Sequence, residues 1–335
     1  MSNITYECIE DRDHRMHTQG LPKVVCRGNQ EVNNEFQTES NRFKTLWAER
    51  LKEGEGIEQS IEESRKAFDD EHGAVPFPES CTRTEFSVEG VKGEKITPIS
   101  AIPGKAIIYH HGGGHGFGSA LSHRHLVARL AESSGVTAFN MDYALAPEQP
   151  FPAALNDAVA AWDYVCAQGY SGDDIVVAGE SAGGNLTASL LLKLRETKRE
   201  MPAGGYLLSP WLDLTQSGES MTSCADQDPM VTRSELSSLA KSYYAGTDPR
   251  NPLVSPIFGD LSGFPPMMIQ VGTDEVLLSD AITFTNKSAL SGVDVQLRVW
   301  KDMVHAWPLF HFLMPSAGLS AIDEAGAWIR GCLGE

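Results

Sequence analysis

The residues best suited to chemistry lie in Gly179-Glu180-Ser181-Ala182-Gly183-Gly184-Asn185, between the apolar run Ile175–Ala178 and the helical pattern Leu186–Arg195. A serine in a G-x-S-x-G turn between strand and helix is held in a strained backbone conformation that lifts its hydroxyl above the sheet. Side chains at Gly179 and Gly183 would collide in such a turn. The hydroxyl then stands at a helix N-terminus, where unpaired N–H groups favour a developing oxyanion. This is the setting of a nucleophile for acyl transfer, not of a helix-capping serine.

A second signal, His110-His111-Gly112-Gly113-Gly114-His115-Gly116-Phe117-Gly118, directly follows the run Lys105–Tyr109. Consecutive glycines let main-chain amides approach a carbonyl oxygen, and Gly113 and Gly114 are the predicted oxyanion donors, with the amide of Ala182 as the third. No G-K-[ST] follows and the dinucleotide spacing is absent, which argues against a phosphate-cradling loop. His110, His111, His115, His123 and His125 fall within sixteen residues and raise the question of a metal. The first three sit in the glycine loop with no carboxylate or cysteine near them, so neither a metal nor another cofactor is expected.

A serine nucleophile needs a base, and the base needs a carboxylate that fixes its tautomer. In the order serine, acid, histidine, Asp274 follows the apolar run Pro266–Gly272 and His305 follows Val295–Trp300. Asp274 is therefore the predicted orienting carboxylate and His305 the predicted base. Asp280 belongs to the start of the next helix, and Glu275 is expected to point to the other side of the turn. His311, among Leu309, Phe310 and Phe312, reads better as a core histidine.

The elements that must position these groups follow from periodicity. Phe36, Phe43, Trp47 and Leu51 recur at helical spacing, as do Ile57, Ile61 and Phe68, and predict two amphipathic helices within residues 1–80. From Cys81 two strand-like runs, Thr82–Val88 and Glu94–Ser100, flank the turn Glu89–Gly93 and read as a hairpin. Apolar runs then alternate with helical stretches at Ala106–Tyr109, Val136–Met141, Ile175–Ala178, Tyr206–Leu208, Met267–Val271 and Val295–Val299. That alternation predicts an α/β fold with a mainly parallel sheet covered on both faces. Between Asp213 and Pro256 it lapses into a polar stretch with one helical pattern at Thr232–Tyr244, which reads as an insertion over the sheet.

With 335 residues and 41% hydrophobic against 21% charged positions, the chain can bury a large core. The formal balance, 27 − 45 = −18, disfavours nucleic acid and anionic lipid surfaces as partners. The six cysteines show no C-x-x-C, the first residues lack an apolar signal core, and no long uncharged apolar stretch occurs. A cytoplasmic protein without stable membrane association is expected.

In these motifs the sequence resembles the hormone-sensitive lipase family of α/β-hydrolases, including its bacterial esterases. The resemblance spans about residues 80–330 and rests on HGGG at His111–Gly114, GESAGGN at Gly179–Asn185, and Tyr143-Ala-Leu-Ala-Pro-Glu148-Gln-Pro-Phe-Pro152-Ala153. It implies an eight-stranded, mostly parallel sheet and a helical cap built from residues 1–80 plus the insertion at about 213–256, with the catalytic domain at 81–335. It also implies supporting roles for His111 and for Glu148 as a buried, hydrogen-bonded carboxylate. Two departures stand at the rim: Glu275 where many members carry proline after the acid, and His115 where many carry an apolar residue.

The combined expectation is a serine carboxylesterase acting on short- to medium-chain esters through an acyl-enzyme on Ser181. Lactone hydrolysis, amide or deacetylase chemistry, and a non-catalytic small-molecule receptor are the alternatives. His115, Phe117, Trp211 and Trp307 are candidate pocket residues, a small ester or lactone is the expected partner, and a homodimer is left open.

Overall fold

The structure, a computed structural model, describes residues 23–24, 30–54 and 60–335. Among the described residues nine strands form one sheet: β1 (Lys23–Val24), β2 (Cys81–Val88), β3 (Val91–Pro98), β4 (Ala106–His110), β5 (Thr137–Asp142), β6 (Ile175–Glu180), β7 (Gly204–Leu208), β8 (Met267–Gly272) and β9 (Val295–Trp300). Their order is β1-β9-β8-β7-β6-β4-β5-β3-β2. The expected eight strands are β2 to β9, and the two-residue β1 adds to the β9 edge. β2 with β3 and β3 with β5 pair antiparallel, and the other pairings among the described strands are parallel. The α-helices are α1 (Gln30–Glu53), α2 (Ile61–Gly73), α3 (Ala120–Ser134), α4 (Ala153–Ala167), α5 (Ala182–Glu196), α6 (Ser220–Ser223), α7 (Arg233–Tyr244), α8 (Leu278–Leu290) and α9 (Pro315–Cys332).

Residues of β4, β6, β7 and β8 are buried along their whole length, as strands covered on both faces must be. One buried cluster, with Ile108, Val177, Leu190, Trp211 and Ile269, fills one face; the other, with Ile107, Val176, Met268, Trp307 and Ile329, fills the opposite face. The hairpin turn is tighter than expected. Val88 pairs with Val91, leaving Glu89 and Gly90 with φ of 50° and 92°, the double left-handed geometry of a two-residue hairpin turn.

Both predicted N-terminal helices form, with Ile57 outside the described residues. α2 starts in a capping box of Ser60 with Glu63, and α7 in one of Thr232 with Glu235, each satisfying two end amides. Strand order reverses around β4, which pairs with β5 on one side and β6 on the other. The crevice beyond the carboxyl ends of β4 and β6 is where such sheets place their sites.

Candidate active site

Two of the chemistry-bearing segments leave the sheet side by side, since His110 of β4 pairs with Gly179 of β6. Ser181, the first residue after β6, has φ 54° and ψ −120°, a strained geometry for a residue with a Cβ. Its own amide donates to Leu208 O at 2.9 Å, and its carbonyl accepts from Asn185 N at 3.1 Å and Trp211 N at 3.0 Å. These bonds hold the turn in place. A Cβ on Gly183 would overlap the carbonyl oxygens of His110 and His111, so only glycine lets the elbow pack against the neighbouring loop.

That loop carries Gly113 at φ 102° and Gly114 at φ 63°. It is closed by Gly116 and Phe117 amides donating to Gly113 O at 3.0 and 2.8 Å. The amides of Gly113, Gly114 and Ala182 donate to no acceptor among the described residues, which leaves all three available to an oxyanion. His111 underpins the loop: its ring stacks on Tyr143 at 4.1 Å, its Nδ1 pairs with Gly112 O at 2.7 Å, and its carbonyl accepts from Tyr143 Oη at 2.6 Å. Burial, then the neighbouring His123, hold its ring far below the usual imidazole range, so it stays neutral.

His305 follows β9, is 6% exposed, and faces a carboxylate through Nδ1. The carboxylate is Glu275, at 3.0 Å, and not Asp274. Glu275 is fully buried. Its Oε1 accepts from Gly272 N at 2.6 Å and from Ser209 Oγ at 2.7 Å, while Oε2 serves His305. Asp274 lies on the other side of the turn, where it accepts from Thr273 Oγ1 at 2.8 Å and pairs with Lys44 of α1. The expectation had these two residues on the wrong sides. The longer glutamate arm reaches back under the strand end, which the shorter aspartate one residue earlier does not.

Ser209, which sequence reasoning missed, ties the parts together. It follows β7 with φ 44°, donates to Glu275, and accepts from Ala306 N at 3.0 Å, one residue past His305. Its neighbour Leu208 holds the Ser181 amide. Burial alone would disfavour a charged His305, but the hydrogen bond and charge of Glu275, with the charges of Asp228 and Glu180, outweigh it and leave the ring above its usual pKa. Glu180 itself is buried, accepting from His123 Nε2 at 3.0 Å and Tyr109 Oη at 3.3 Å. A Cβ on Gly112 would overlap its carboxylate. The identity of the second residue of the G-x-S-x-G turn was the available signal for Glu180; a lone serine after a strand offered none for Ser209.

The remaining expected residues divide. Trp307 is no pocket residue: fully buried, it packs on Trp300 at 5.4 Å and its Nε1 donates to Ala317 O in the core under α9. Trp211 is also closed from solvent, its ring 6.5 Å from that of His115. His115 is fully buried and stacks on Tyr243 of α7 at 3.7 Å, whereas Phe117 is half-buried. Glu148 is exposed, not buried as expected. It pairs with Arg65 of α2 at 2.8 Å, and Arg65 in turn donates to Gly116 O and Ala146 O. Glu148 thus supports the glycine loop at one remove. His311 bonds His125 at 3.1 Å in the core, as read from its neighbours. Among the described residues no cluster of three or more His, Cys, Asp or Glu is arranged to hold a metal ion, and no helix is long and apolar enough to cross a membrane.

A family model described as alpha/beta hydrolase fold matches residues 107–309. Among curated proteins the chain is similar to an acetyl-hydrolase of Streptomyces hygroscopicus, 40% identical over 69% of this chain and 77% of that protein. It is also 35% identical to an esterase of Acinetobacter venetianus, over 74% of this chain and 83% of the relative. Among solved structures it resembles EstE5 soaked with p-nitrophenyl butyrate, with TM-score 0.84, 35% identity, and 89% and 99% of the two chains covered. An esterase from the bacterial hormone-sensitive lipase family matches with TM-score 0.82, 34% identity, and 92% and 100% covered.

Proposed function

The chain belongs to the alpha/beta hydrolase fold family, in its bacterial hormone-sensitive lipase branch, and is a carboxylic ester hydrolase; from that premise we propose that Ser181, His305 and Glu275 form its catalytic triad. Ser181 Oγ attacks the ester carbonyl carbon as His305 Nε2 takes its proton. Glu275, on Nδ1, fixes the tautomer and steadies the imidazolium. The carbonyl oxygen, now negative, accepts from the amides of Gly113, Gly114 and Ala182. Collapse breaks the bond to the alcohol oxygen, which leaves with the proton from His305. Water then attacks the acyl-serine, giving its proton to His305; collapse breaks the bond to Ser181 Oγ, which takes that proton back from His305 as the acid departs. The observation that carries this reading is a buried carboxylate–imidazole pair tied through Ser209 and its neighbour Leu208 to a serine at φ 54° on a helix N-terminus.

The substrate class follows from the elements above the crevice. α7 presses Leu239 against Gly114 and Tyr243 against His115, narrowing the space beside the oxyanion loop. With α1 and α2 it forms the cap proposed over the catalytic core. Each added methylene of an acyl chain gains up to about 0.8 kcal/mol of burial until that space fills, after which overpacking reverses the trend. Short acyl esters, butyrate to hexanoate, are the proposed substrates. The free state of Cys81, Cys166, Cys224 and Cys332 supports a reducing, cytoplasmic workplace. Hydrolysis of p-nitrophenyl butyrate and palmitate by wild type, Ser181→Ala and His305→Ala tests the reading. Losses on the order of 10⁴–10⁶ in kcat on butyrate are expected for both variants. A loss below tenfold in folded protein would remove the triad, and a preference for palmitate would remove the short-chain class.

A further inference from the structure

The insertion between β7 and β8 grips the turn that carries Glu275. Asp228, between α6 and α7, is 7% exposed. Its Oδ1 accepts from Met230 N and Val231 N, both at 3.0 Å, and its Oδ2 accepts from Val276 N, also at 3.0 Å. Val276 is the residue directly after Glu275. Its carbonyl is held from the same insertion, by Ser220 Oγ, and Cys224 Sγ donates to Thr273 O at 3.6 Å on the other flank of the turn. The same insertion continues into α7, which bears on Gly114 and His115. One segment therefore braces both the acid turn and the oxyanion loop.

Burial pushes the Asp228 carboxyl above the usual carboxylate range, and the charge of His305 with the three amide hydrogens works against that rise and favours the ionised form. His305 meets Glu275, from the turn after β8, directly at Nδ1, while Asp228 from the insertion and Glu180 from the end of β6 act on it by charge alone. Among the described residues Glu275 is the carboxylate that hydrogen-bonds the ring. Resting on the triad reading above, we propose that Asp228 is a second positioning carboxylate of this esterase: it fixes the peptide that aims Glu275 and adds negative charge that supports His305 as it receives the serine proton. Asp228 contacts no reacting atom, so its effect belongs in kcat and in the titration of the base, with KM little changed.

The test compares kcat, KM and the pH dependence of kcat/KM on p-nitrophenyl butyrate for wild type, Asp228→Asn, Asp228→Ser and Cys224→Ser. The two neutral Asp228 variants each keep an acceptor toward Met230 and Val231, so failure of one to fold leaves the other. Removing a nearby negative charge should move the ionisation of the base downward by at least about half a pH unit. It should also lower kcat by roughly tenfold, with KM within about twofold. Cys224→Ser loosens the same turn without changing charge and should leave the inflection at its wild-type pH. An unmoved inflection in a folded Asp228 variant, or an equal shift in Cys224→Ser, would overturn the role of Asp228. If Ser181→Ala keeps activity, the triad reading and this role fall together; if Ser181→Ala is inactive and the inflection is unmoved, Asp228 alone falls.

Discussion

Two adjacent carboxylates, Asp274 and Glu275, should differ by several orders of magnitude in what their removal does. Glu275 is fully buried and saturated: His305 Nδ1 on one oxygen, Gly272 N–H and Ser209 Oγ–H on the other. In Glu275→Gln the amide can be seated two ways. With its NH₂ toward His305 it donates to Nδ1, forces the ring proton onto Nε2, and removes the lone pair that must accept from Ser181. With its NH₂ toward Gly272 N–H and Ser209, donors face donors in a buried site. Loss of the correct tautomer typically costs about 10⁴ in kcat, or about 5.5 kcal/mol in barrier at 1.36 kcal/mol per factor of ten. Asp274→Asn removes an ion pair with Lys44 whose side chains are 16% and 27% exposed. A pair at such a partly solvated site contributes about 0–1 kcal/mol to stability. Its kcat should stay within about threefold of wild type. Both variants are assayed on p-nitrophenyl butyrate at the alkaline plateau, with circular dichroism to verify folding. If Asp274→Asn lost 10³-fold or more while Glu275→Gln stayed within tenfold, the assignment of the acid would be wrong.

Two further predictions concern protons. Because Glu275, Asp228 and Glu180 together hold the His305 pKa above its ordinary 6.5, and the base works as neutral imidazole, kcat/KM should rise through one ionisation centred above about pH 6.5; an inflection below pH 6 contradicts that environment. Burial depresses His72 and His311 to about 4, His110 and His115 to about 3, His125 to about 2, and His111 also downward. These rings stay neutral in the fold while the unfolded chain protonates below about 6.5, so their stabilisation is complete above that pH and lost as pH falls. Each costs about 1.4 kcal/mol per pH unit, and Asp280, pushed up to about 8 by burial, offsets one of them. Calorimetric Tm should drop steeply from pH 7 to pH 5, and a flat or rising Tm would refute the sign.

The strands, the elbow and the glycine loop were legible because each obeys a local rule. Continuous apolar runs such as Ile175–Ala178 mean strands buried on both faces, and G-x-S-x-G at a strand–helix junction allows one backbone path. What was not legible depends on partners distant in sequence. Which of Asp274 and Glu275 turns inward is decided by Ser209 on one side and by Lys44, 230 positions away, on the other. Trp307 and Trp211 looked like pocket aromatics near the triad, yet core packing under α9 and beside α5 claims them. Glu148 was expected to be buried, but Arg65 from the N-terminal helices meets it at the surface. Asp228 carried no motif, since its acceptor role appears only once the insertion folds onto the acid turn.

The central claim is that Ser181 Oγ is the nucleophile, made so by His305 and Glu275. The most direct measurement is peptide mass spectrometry after treatment with a fluorophosphonate at pH 8. The account predicts one phosphonyl group per chain on the peptide bearing Ser181, loss of esterase activity in proportion to labelling, and labelling slowed at least about 10³-fold in His305→Ala. Full inhibition with the label on another residue, or unchanged labelling of Ser181 in His305→Ala, would contradict it.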